Sequence, residues 1–228
     1  LLLDALGEET AVIVGHDWGG AVIWQMGLRY PERVTALVGL NTPDGLPSHA
    51  RPTEPLRAFH GPTDQTFYMR SLLAPGVAEA ELEADVATTF KKIFLPYTRA
   101  ADFTTFMTVG GDGSGVVARI TNTDTFLTDE ELAEYVKEYS RTGFRGGLNW
   151  YRAADRNADE AGAPKGPQLN IRSMMVTAGK DTILKPEMAA AMPMLIPGIR
   201  MEHIEDCAHW TQQERPAEVN ALLVDFLG

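Results

Sequence analysis

One carboxylate, Asp17, stands in a setting that is typical of a reactive side chain. The apolar run Val12–Val14 ends at Gly15, and after Trp18 two glycines lead into a second apolar stretch. This pattern predicts a buried strand, a very tight turn and a helix, which together make a nucleophile elbow. We expect a β-carbon at Gly15 or Gly19 to collide with the neighbouring backbone of so sharp a turn. A carboxylate forms a stable ester with an sp3 carbon, so Asp17 suits alkyl transfer and argues against an ordinary serine esterase.

Hydrolysis of such an ester needs activated water, which a histidine oriented by a carboxylate can supply. Asp181 and His209 each follow a predicted strand. Because sites in parallel sheets lie at the carboxyl ends of strands, we expect both side chains to lie beside Asp17. Their order along the chain, nucleophile, acid and histidine, is that of the α/β-hydrolase triad. Asp206 is the competing acid, but it precedes His209 by only three residues and is poorly placed to orient its ring.

The other histidines have plainer expected roles. His16 lies inside the elbow, where packing or a hydrogen bond is expected, His203 lies in a strand, and His49 and His60 lie in a helical region. The sequence shows no cluster of metal ligands. The glycine-rich run 110–115 follows no strand and has no Lys-Ser/Thr after it, which argues against a phosphate loop. We therefore predict neither a metal nor any other cofactor.

The elements that must position these residues form an α/β pattern interrupted by helices. Strands are expected at 11–15, 34–40, 172–178 and 200–204, and both faces of the first should be buried. Helices are expected from the elbow to about Tyr30, over Val77–Phe94, from a capping box at Thr128 to about Arg141, and over Asn149–Arg156, Pro186–Met192 and Arg215–Leu227. The chain thus predicts an α/β core in two parts, residues 1–44 and 167–228, around an α-helical cap at 45–166.

The composition restricts the class of partner. The net charge of −11 argues against nucleic acid and anionic membrane surfaces, because both bind basic patches. No apolar run is long enough to span a bilayer. The single cysteine, Cys207, excludes an internal disulfide and fits a reducing compartment, so a cytoplasmic location is predicted. A homo-oligomer is compatible with the sequence.

Four motifs carry a resemblance to a known family. They are Gly15-His16-Asp17-Trp18-Gly19-Gly20, Pro75-Gly76-Val77-Ala78-Glu79-Ala80-Glu81-Leu82, Phe144-Arg145-Gly146-Gly147-Leu148-Asn149-Trp150-Tyr151-Arg152 and Ala208-His209-Trp210-Thr211-Gln212-Gln213-Glu214-Arg215-Pro216. Together they resemble the soluble epoxide hydrolases of the α/β-hydrolase fold, over essentially the whole chain. The segment around Tyr151 is the most discriminating, since the elbow alone also fits haloalkane dehalogenases.

The resemblance implies a role for each matching residue. Asp17 would attack an epoxide carbon, and Tyr151 on the cap would donate a proton to the departing ring oxygen. His209, oriented by Asp181, would activate the water that hydrolyses the ester, and the backbone N–H of Trp18 would supply half of the oxyanion hole. The partners implied are a small epoxide and water. A dehalogenase, with the Trp18 indole holding the leaving halide, is the alternative enzyme.

Two departures from the family affect these expectations. The family places a second cap tyrosine shortly before the Pro-Gly pair, where this chain has Ser71; Tyr68, one helical turn earlier, is the other candidate for that contact. The family's early strands and its His-Gly-x-Pro loop have no counterpart here, so we expect a complementary amino-terminal segment and an isolated chain that is unstable and inactive. A catalytically weak ligand-binding member of the fold is the alternative from another class.

Overall fold

Four strands form one parallel sheet in the order β1-β2-β3-β4 within the part of the chain that the structure describes. The computed structural model describes residues 2–44, 72–103, 115, 117–160 and 169–228. The strands are β1 (Ala11–His16), β2 (Val34–Leu40), β3 (Ser173–Ala178) and β4 (Arg200–Ile204). The chain forms two compact units, one of Leu1–Ser48 with Gly162–Gly228, which holds this sheet, and one of His49–Ala161, in which the described elements are helical.

The helices complete both units. In chain order they are α1 (Leu2–Leu6), α2 (Trp18–Arg29), α3 (Val77–Leu82), α4 (Val86–Ile93), α5 (Ala100–Phe103), α6 (Asp129–Thr142), α7 (Arg145–Glu160), α8 (Met192–Leu195), α9 (Thr211–Glu214) and α10 (Pro216–Leu227), with single 3₁₀ turns at Pro31–Arg33, Tyr97–Arg99 and Pro186–Ala189. The parallel sheet with flanking helices is the predicted α/β class, and the strands predicted at 34–40 and 200–204 are confirmed to the residue.

Helices cover both faces of β2 and β3, which explains why these central strands are mostly apolar. On one face Val38 and Val176 pack with Val219 and Phe226 of α10. On the other face Leu37 and Met175 belong to a cluster with Ile23 and Trp24 of α2 and Met192 of α8. Burial on both faces fixes the register of the strands, and it thereby fixes where their carboxyl ends, and the residues that follow them, come together.

The expected burial of both faces of β1 is wrong. Val12 is 40% exposed and Val14 is 44% exposed. In the strand register they lie beside Ala36 and Val38, whose side chains are covered by the α10 cluster. That cluster does not extend across to β1, so the same face of the sheet is buried at β2 and open at β1 among the described residues.

Three predicted helices have different bounds. The single helix expected over Val77–Phe94 is two helices, α3 and α4, because the side chain of Asp85 caps α4 by accepting a hydrogen bond from the Thr88 amide at 3.0 Å. The helix expected over Asn149–Arg156 begins earlier and ends later, as α7. The helix expected over Pro186–Met192 is a 3₁₀ turn followed by α8. The capping box at Thr128 is confirmed and opens α6.

Three glutamates of the segment around α3 connect it to other parts of the helical unit. Glu79 forms an ion pair with Arg152 of α7 at 2.6 Å, and each of the two side chains is 14% exposed. Glu81 accepts from the Val117 amide at 2.7 Å, and Glu83 accepts from the Phe144 amide at 3.0 Å. These three glutamates therefore connect the segment around α3 to three segments that are distant in sequence.

The Glu79 pair gives a stability prediction for the helical unit. The hydrogen bond from Arg152 lowers the pKa of Glu79 from its ordinary 4.5 to about 2. A depressed folded-state pKa stabilises above pH 4.5, and that stabilisation is lost as the pH falls towards 2. Glu79→Gln should lower the free energy of unfolding by about 1–3 kcal/mol at pH 7, and this difference from the unsubstituted protein should shrink below pH 4.5. Denaturant unfolding at several pH values measures it.

The matched control is Glu134→Gln. Glu134 pairs with Lys137 at 2.9 Å, but the two side chains are 69% and 66% exposed. Exposed pairs contribute little to stability. An equal loss of stability in both variants would contradict the role given to Glu79.

Candidate active site

Asp17 lies on the sharp turn between β1 and α2 in a strained backbone conformation. Its φ is 52° and its ψ is −122°, a region that residues other than glycine rarely adopt. A β-carbon on Gly15 would collide with the Gly19 carbonyl, as expected. The matching expectation for Gly19 is wrong, since a β-carbon there meets nothing within 4 Å. The second crowded position is Gly20, where a β-carbon would lie 2.6 Å from Cβ of Thr42.

Thr42, two residues beyond the end of β2, forms hydrogen bonds with two residues of the β1–α2 region. Its hydroxyl donates to the Asp17 carbonyl at 2.8 Å, and its own carbonyl accepts from the Trp24 indole at 2.9 Å. Thr42 is 3% exposed and Trp24 is 1% exposed. These buried hydrogen bonds tie the turn to the neighbouring strand, which is how the fold can maintain a strained residue at this point.

The structure brings Asp17, His209 and Asp181 together. His209 Nδ1 lies 2.9 Å from Asp181 Oδ2, and His209 Nε2 lies 3.5 Å from Asp17 Oδ2. The Asp181 side chain is fully buried, His209 is 6% exposed and Asp17 is 32% exposed. Each ring nitrogen of His209 therefore faces a carboxylate. Asp206, the competing acid, is exposed, and its backbone carbonyl accepts a hydrogen bond from Arg215.

The charges of the three groups stabilise one another. Burial would lower the pKa of His209, but the negative charges of Asp181 and Asp17 outweigh it and raise the pKa to about 10. Burial would raise the pKa of Asp181, but the charge and hydrogen bond of His209 lower it to about 2. The pKa of Asp17 is lowered for the same reason against the same opposing burial. At neutral pH the group consists of an imidazolium between two carboxylates.

His16 supports His209 without competing for its proton. Burial, followed by the charge of His209, lowers the pKa of His16 to about 4, so its ring is neutral at pH 7. His16 Nε2 lies 2.6 Å from the His209 carbonyl, which can only accept, so Nε2 carries the proton. The hydrogen-bonding role expected for His16 is confirmed.

Known proteins resemble this chain over nearly its whole length. Residues 1–216 match the model of the alpha/beta hydrolase fold family. The chain is 36% identical to Epoxide hydrolase A of Mycobacterium tuberculosis, over 99% of this chain and 71% of that protein. This chain belongs to the epoxide hydrolases of the α/β-hydrolase fold family.

Two further epoxide hydrolases illustrate the range of the likeness. The crystal structure of Epoxide Hydrolase A from Mycobacterium thermoresistibile superposes with a TM-score of 0.87 at 40% identity, covering 99% of this chain and 72% of that one. Bifunctional epoxide hydrolase 2 of Mus musculus is 41% identical over 99% of this chain, which spans 40% of that protein's length.

The remaining predicted site residues of this epoxide hydrolase family member are placed as follows. Trp18 begins α2, and its backbone N–H donates to the Asp17 carboxylate. Tyr151 lies on α7 of the helical unit and is partly buried. Tyr68 and Ser71 lie outside the described residues.

Two buried polar residues beside the triad were not predicted from the sequence. Asn41 and Thr211 are 1% and 0% exposed, and Asn41 donates to Asp181 Oδ2 at 2.7 Å. Asn41 directly follows β2, so its place at a strand end was the signal that could have identified it. Thr211 carries no comparable signal, because its contact with Asn41 spans 170 positions of sequence.

The described residues contain no group of side chains that could hold a metal ion. Within the same ranges, every helix is too short or too polar to cross a membrane.

Proposed function

We propose that this protein hydrolyses an epoxide to a vicinal diol through an ester at Asp17, which water activated by His209 then cleaves. The observation that carries the proposal is a partly exposed carboxylate and a fully buried carboxylate on opposite nitrogens of one buried imidazole. Such an arrangement supplies a nucleophile, a base and an orienting acid at the same edge of the sheet. The epoxide hydrolase relatives give the substrate class.

The first step is alkylation of Asp17. The carboxylate is ionised at neutral pH, since its pKa is lowered, and its oxygen forms a bond to an epoxide carbon. The bond from that carbon to the ring oxygen breaks, and the oxygen takes a proton. We assign that proton to the Tyr151 hydroxyl, as the family resemblance implies. A phenol keeps its proton at neutral pH and can therefore serve as this acid.

Alkylation also changes the charge state of His209. Asp17 loses its negative charge on becoming an ester, and that charge is one of the causes that raise the pKa of His209. The histidine therefore becomes more acidic at the stage when a neutral base is needed. The proton that His209 releases replaces the one that Tyr151 gave to the ring oxygen. Alkylation of Asp17 thus favours the neutral form of His209, which is the form that can act as the base.

The second step is hydrolysis of the ester. Water transfers a proton to His209 Nε2 while its oxygen bonds to the carbonyl carbon of Asp17, and the oxyanion faces the Trp18 N–H. Collapse breaks the bond between that carbon and the ester oxygen, which came from Asp17 and leaves with the substrate carbon, and His209 returns a proton to the diol. The acid left on Asp17 then passes its proton to His209, which restores the starting charges.

A single turnover in ¹⁸O water tests the covalent route, with styrene oxide as the probe. Because water attacks the carbonyl of the ester, the label should enter the Asp17 carboxylate and not the diol. Peptides spanning Asp17 are then analysed by mass spectrometry. Diol formation with unlabelled Asp17 would overturn the mechanism, and halide release from a chloroalkane without any diol from styrene oxide would favour a dehalogenase.

Replacement of Tyr151 tests the proposed acid. Tyr151→Phe should slow alkylation by at least about 10²-fold, since general acids contribute factors of this order, and should leave hydrolysis of a preformed ester nearly unchanged. Rapid-quench mass spectrometry measures both steps. Tyr139→Phe is the control, because it removes a hydroxyl from an aromatic cluster of the same unit with Phe90 and Phe144. Equal effects of the two changes would remove Tyr151 from the mechanism.

Three broader predictions accompany this proposal. A helical cap over residues 45–166 stays a prediction, which the compact unit His49–Ala161 supports. A cytoplasmic location rests on the single cysteine. Homo-oligomerisation is compatible with the sequence, and size-exclusion chromatography with light scattering would establish it.

A further inference from the structure

Asn41 is unusual because it is a buried polar residue with a left-handed backbone conformation. It follows the last residue of β2 with a φ of 64°, and its side chain is buried at 1% exposure. Asparagine adopts this left-handed region more readily than most residues, because its short side chain hydrogen-bonds locally. Here the side chain instead makes long-range bonds. A strained, buried polar residue beside a triad needs a reason beyond packing.

The bonds to Asp181 supply that reason. Asp181 Oδ1 accepts from the amides of Ile183 and Leu184 at 2.8 and 2.9 Å. Asp181 Oδ2 accepts from His209 Nδ1 at 2.9 Å and from Asn41 Nδ2 at 2.7 Å. Backbone amides thus fix one oxygen of the carboxylate, and Asn41 fixes the oxygen that holds the histidine.

Thr211 completes the hydrogen bonding of the Asn41 amide. Its hydroxyl lies 2.6 Å from Asn41 Oδ1, and Thr211 is completely buried. Since a carboxylate can only accept, Nδ2 must face Asp181, and Oδ1 must then receive a donor on its other side. Without the hydroxyl, Oδ1 would be left without its Thr211 donor in a buried site, and the amide would be held only through Nδ2.

We propose that Asn41 and Thr211 are positioning residues that set Asp181, and through it the ring of His209, for the attack of water on the ester. This inference rests on the proposed function. Neither residue bonds to Asp17 through its side chain in the structure. Their loss should therefore affect the hydrolytic step, which depends on His209 as base, far more than the alkylation step.

Two substitutions test the proposal while preserving shape. Asn41→Asp tolerates the same backbone region but replaces the amide donor with a carboxyl group that repels the Asp181 carboxylate. Thr211→Val has nearly the same volume but no hydroxyl. In each variant the rate of ester hydrolysis should fall about 10- to 100-fold, as expected for a buried polar group left unpaired, while alkylation changes by less than about threefold. The ester should accumulate, so kcat and KM fall together and kcat/KM is nearly unchanged.

Thr211→Ser is the matched control, because it keeps the hydroxyl and should hydrolyse the ester within about threefold of the unsubstituted rate. Rapid-quench mass spectrometry with styrene oxide resolves both steps, and circular dichroism verifies folding. If Asn41→Asp does not fold, the valine and serine variants of Thr211 decide the question. A merely structural role predicts that both steps fall equally, or that serine behaves like valine.

The outcomes separate this inference from the proposed function. An unsubstituted protein that forms neither ester nor diol would overturn the function and the inference with it. A protein that turns over normally, together with a Thr211→Val variant that hydrolyses the ester at the unsubstituted rate, would overturn the inference alone.

Discussion

Replacing Asp17 with alanine should reduce diol formation by at least about 10⁴-fold, the scale on which the loss of a nucleophile lowers turnover. The reason is geometric as well as chemical. Asp17 Oδ2 lies 3.5 Å from His209 Nε2, and the strained backbone of the turn holds the carboxylate at that point. No ester can form without it, so the ¹⁸O label and the covalent mass adduct should both disappear.

The control for charge is Asp206→Asn, which removes an exposed carboxylate close in sequence to His209 and should leave turnover unchanged. The control for backbone strain is Asp17→Gly. Glycine adopts the region around φ 52° without steric cost, so the glycine variant should be more stable than the alanine variant by about 1 kcal/mol, although both are inactive. An Asp17→Ala variant that still forms diol through a covalent adduct would place the nucleophile elsewhere.

The three residues of the proposed triad could be predicted because each follows a strand. Parallel strands bring their carboxyl ends to one edge, so a residue's place in the strand pattern nearly determines its place in space. β2 and β4 were predicted to the residue, and Asp181 and His209 lie beside Asp17. The local pattern and the topology rule were sufficient for this part of the site.

The contacts that support the triad could not be predicted in this way. Thr211 reaches Asn41 across 170 positions and Thr42 reaches the Asp17 carbonyl across 25, and neither spacing has a local signature. The error at Gly19 has the same origin. The close approach that requires glycine occurs at Gly20, against Thr42 of another element, and only the packed structure shows it.

The predicted bounds of some helices were wrong for a related reason. A single helix is expected over Val77–Phe94, but Asp85 offers a side-chain cap that begins a new one. The hydroxyl of Thr89 then donates a hydrogen bond to the Leu82 carbonyl at 2.9 Å, which satisfies an acceptor at the end of α3. Asp and Thr side chains can either lie within a helix or cap its end, and their hydrogen-bond partners determine which occurs. Helix propensity does not identify those partners.

Replacing His209 with glutamine should stop turnover by at least about 10⁴-fold while alkylation continues, so that the ester accumulates to one equivalent. Glutamine can hydrogen-bond to Asp181 but cannot take a proton from water. Intact-mass spectrometry after mixing with styrene oxide should show the protein mass increased by one substrate molecule. His203→Gln is the matched control, since His203 lies on β4 and contacts Thr177 and Glu205.

The pH dependence of alkylation should also move in this variant, in a direction that the structure fixes. Burial raises the pKa of Asp17, and the hydrogen bond and charge of His209 more than offset that rise. With glutamine the offset is lost, so the pKa of Asp17 increases and the acid limb of the alkylation rate should shift to higher pH. Diol release without an adduct, or an acid limb that does not move, would show that His209 neither serves as the base nor keeps the nucleophile ionised.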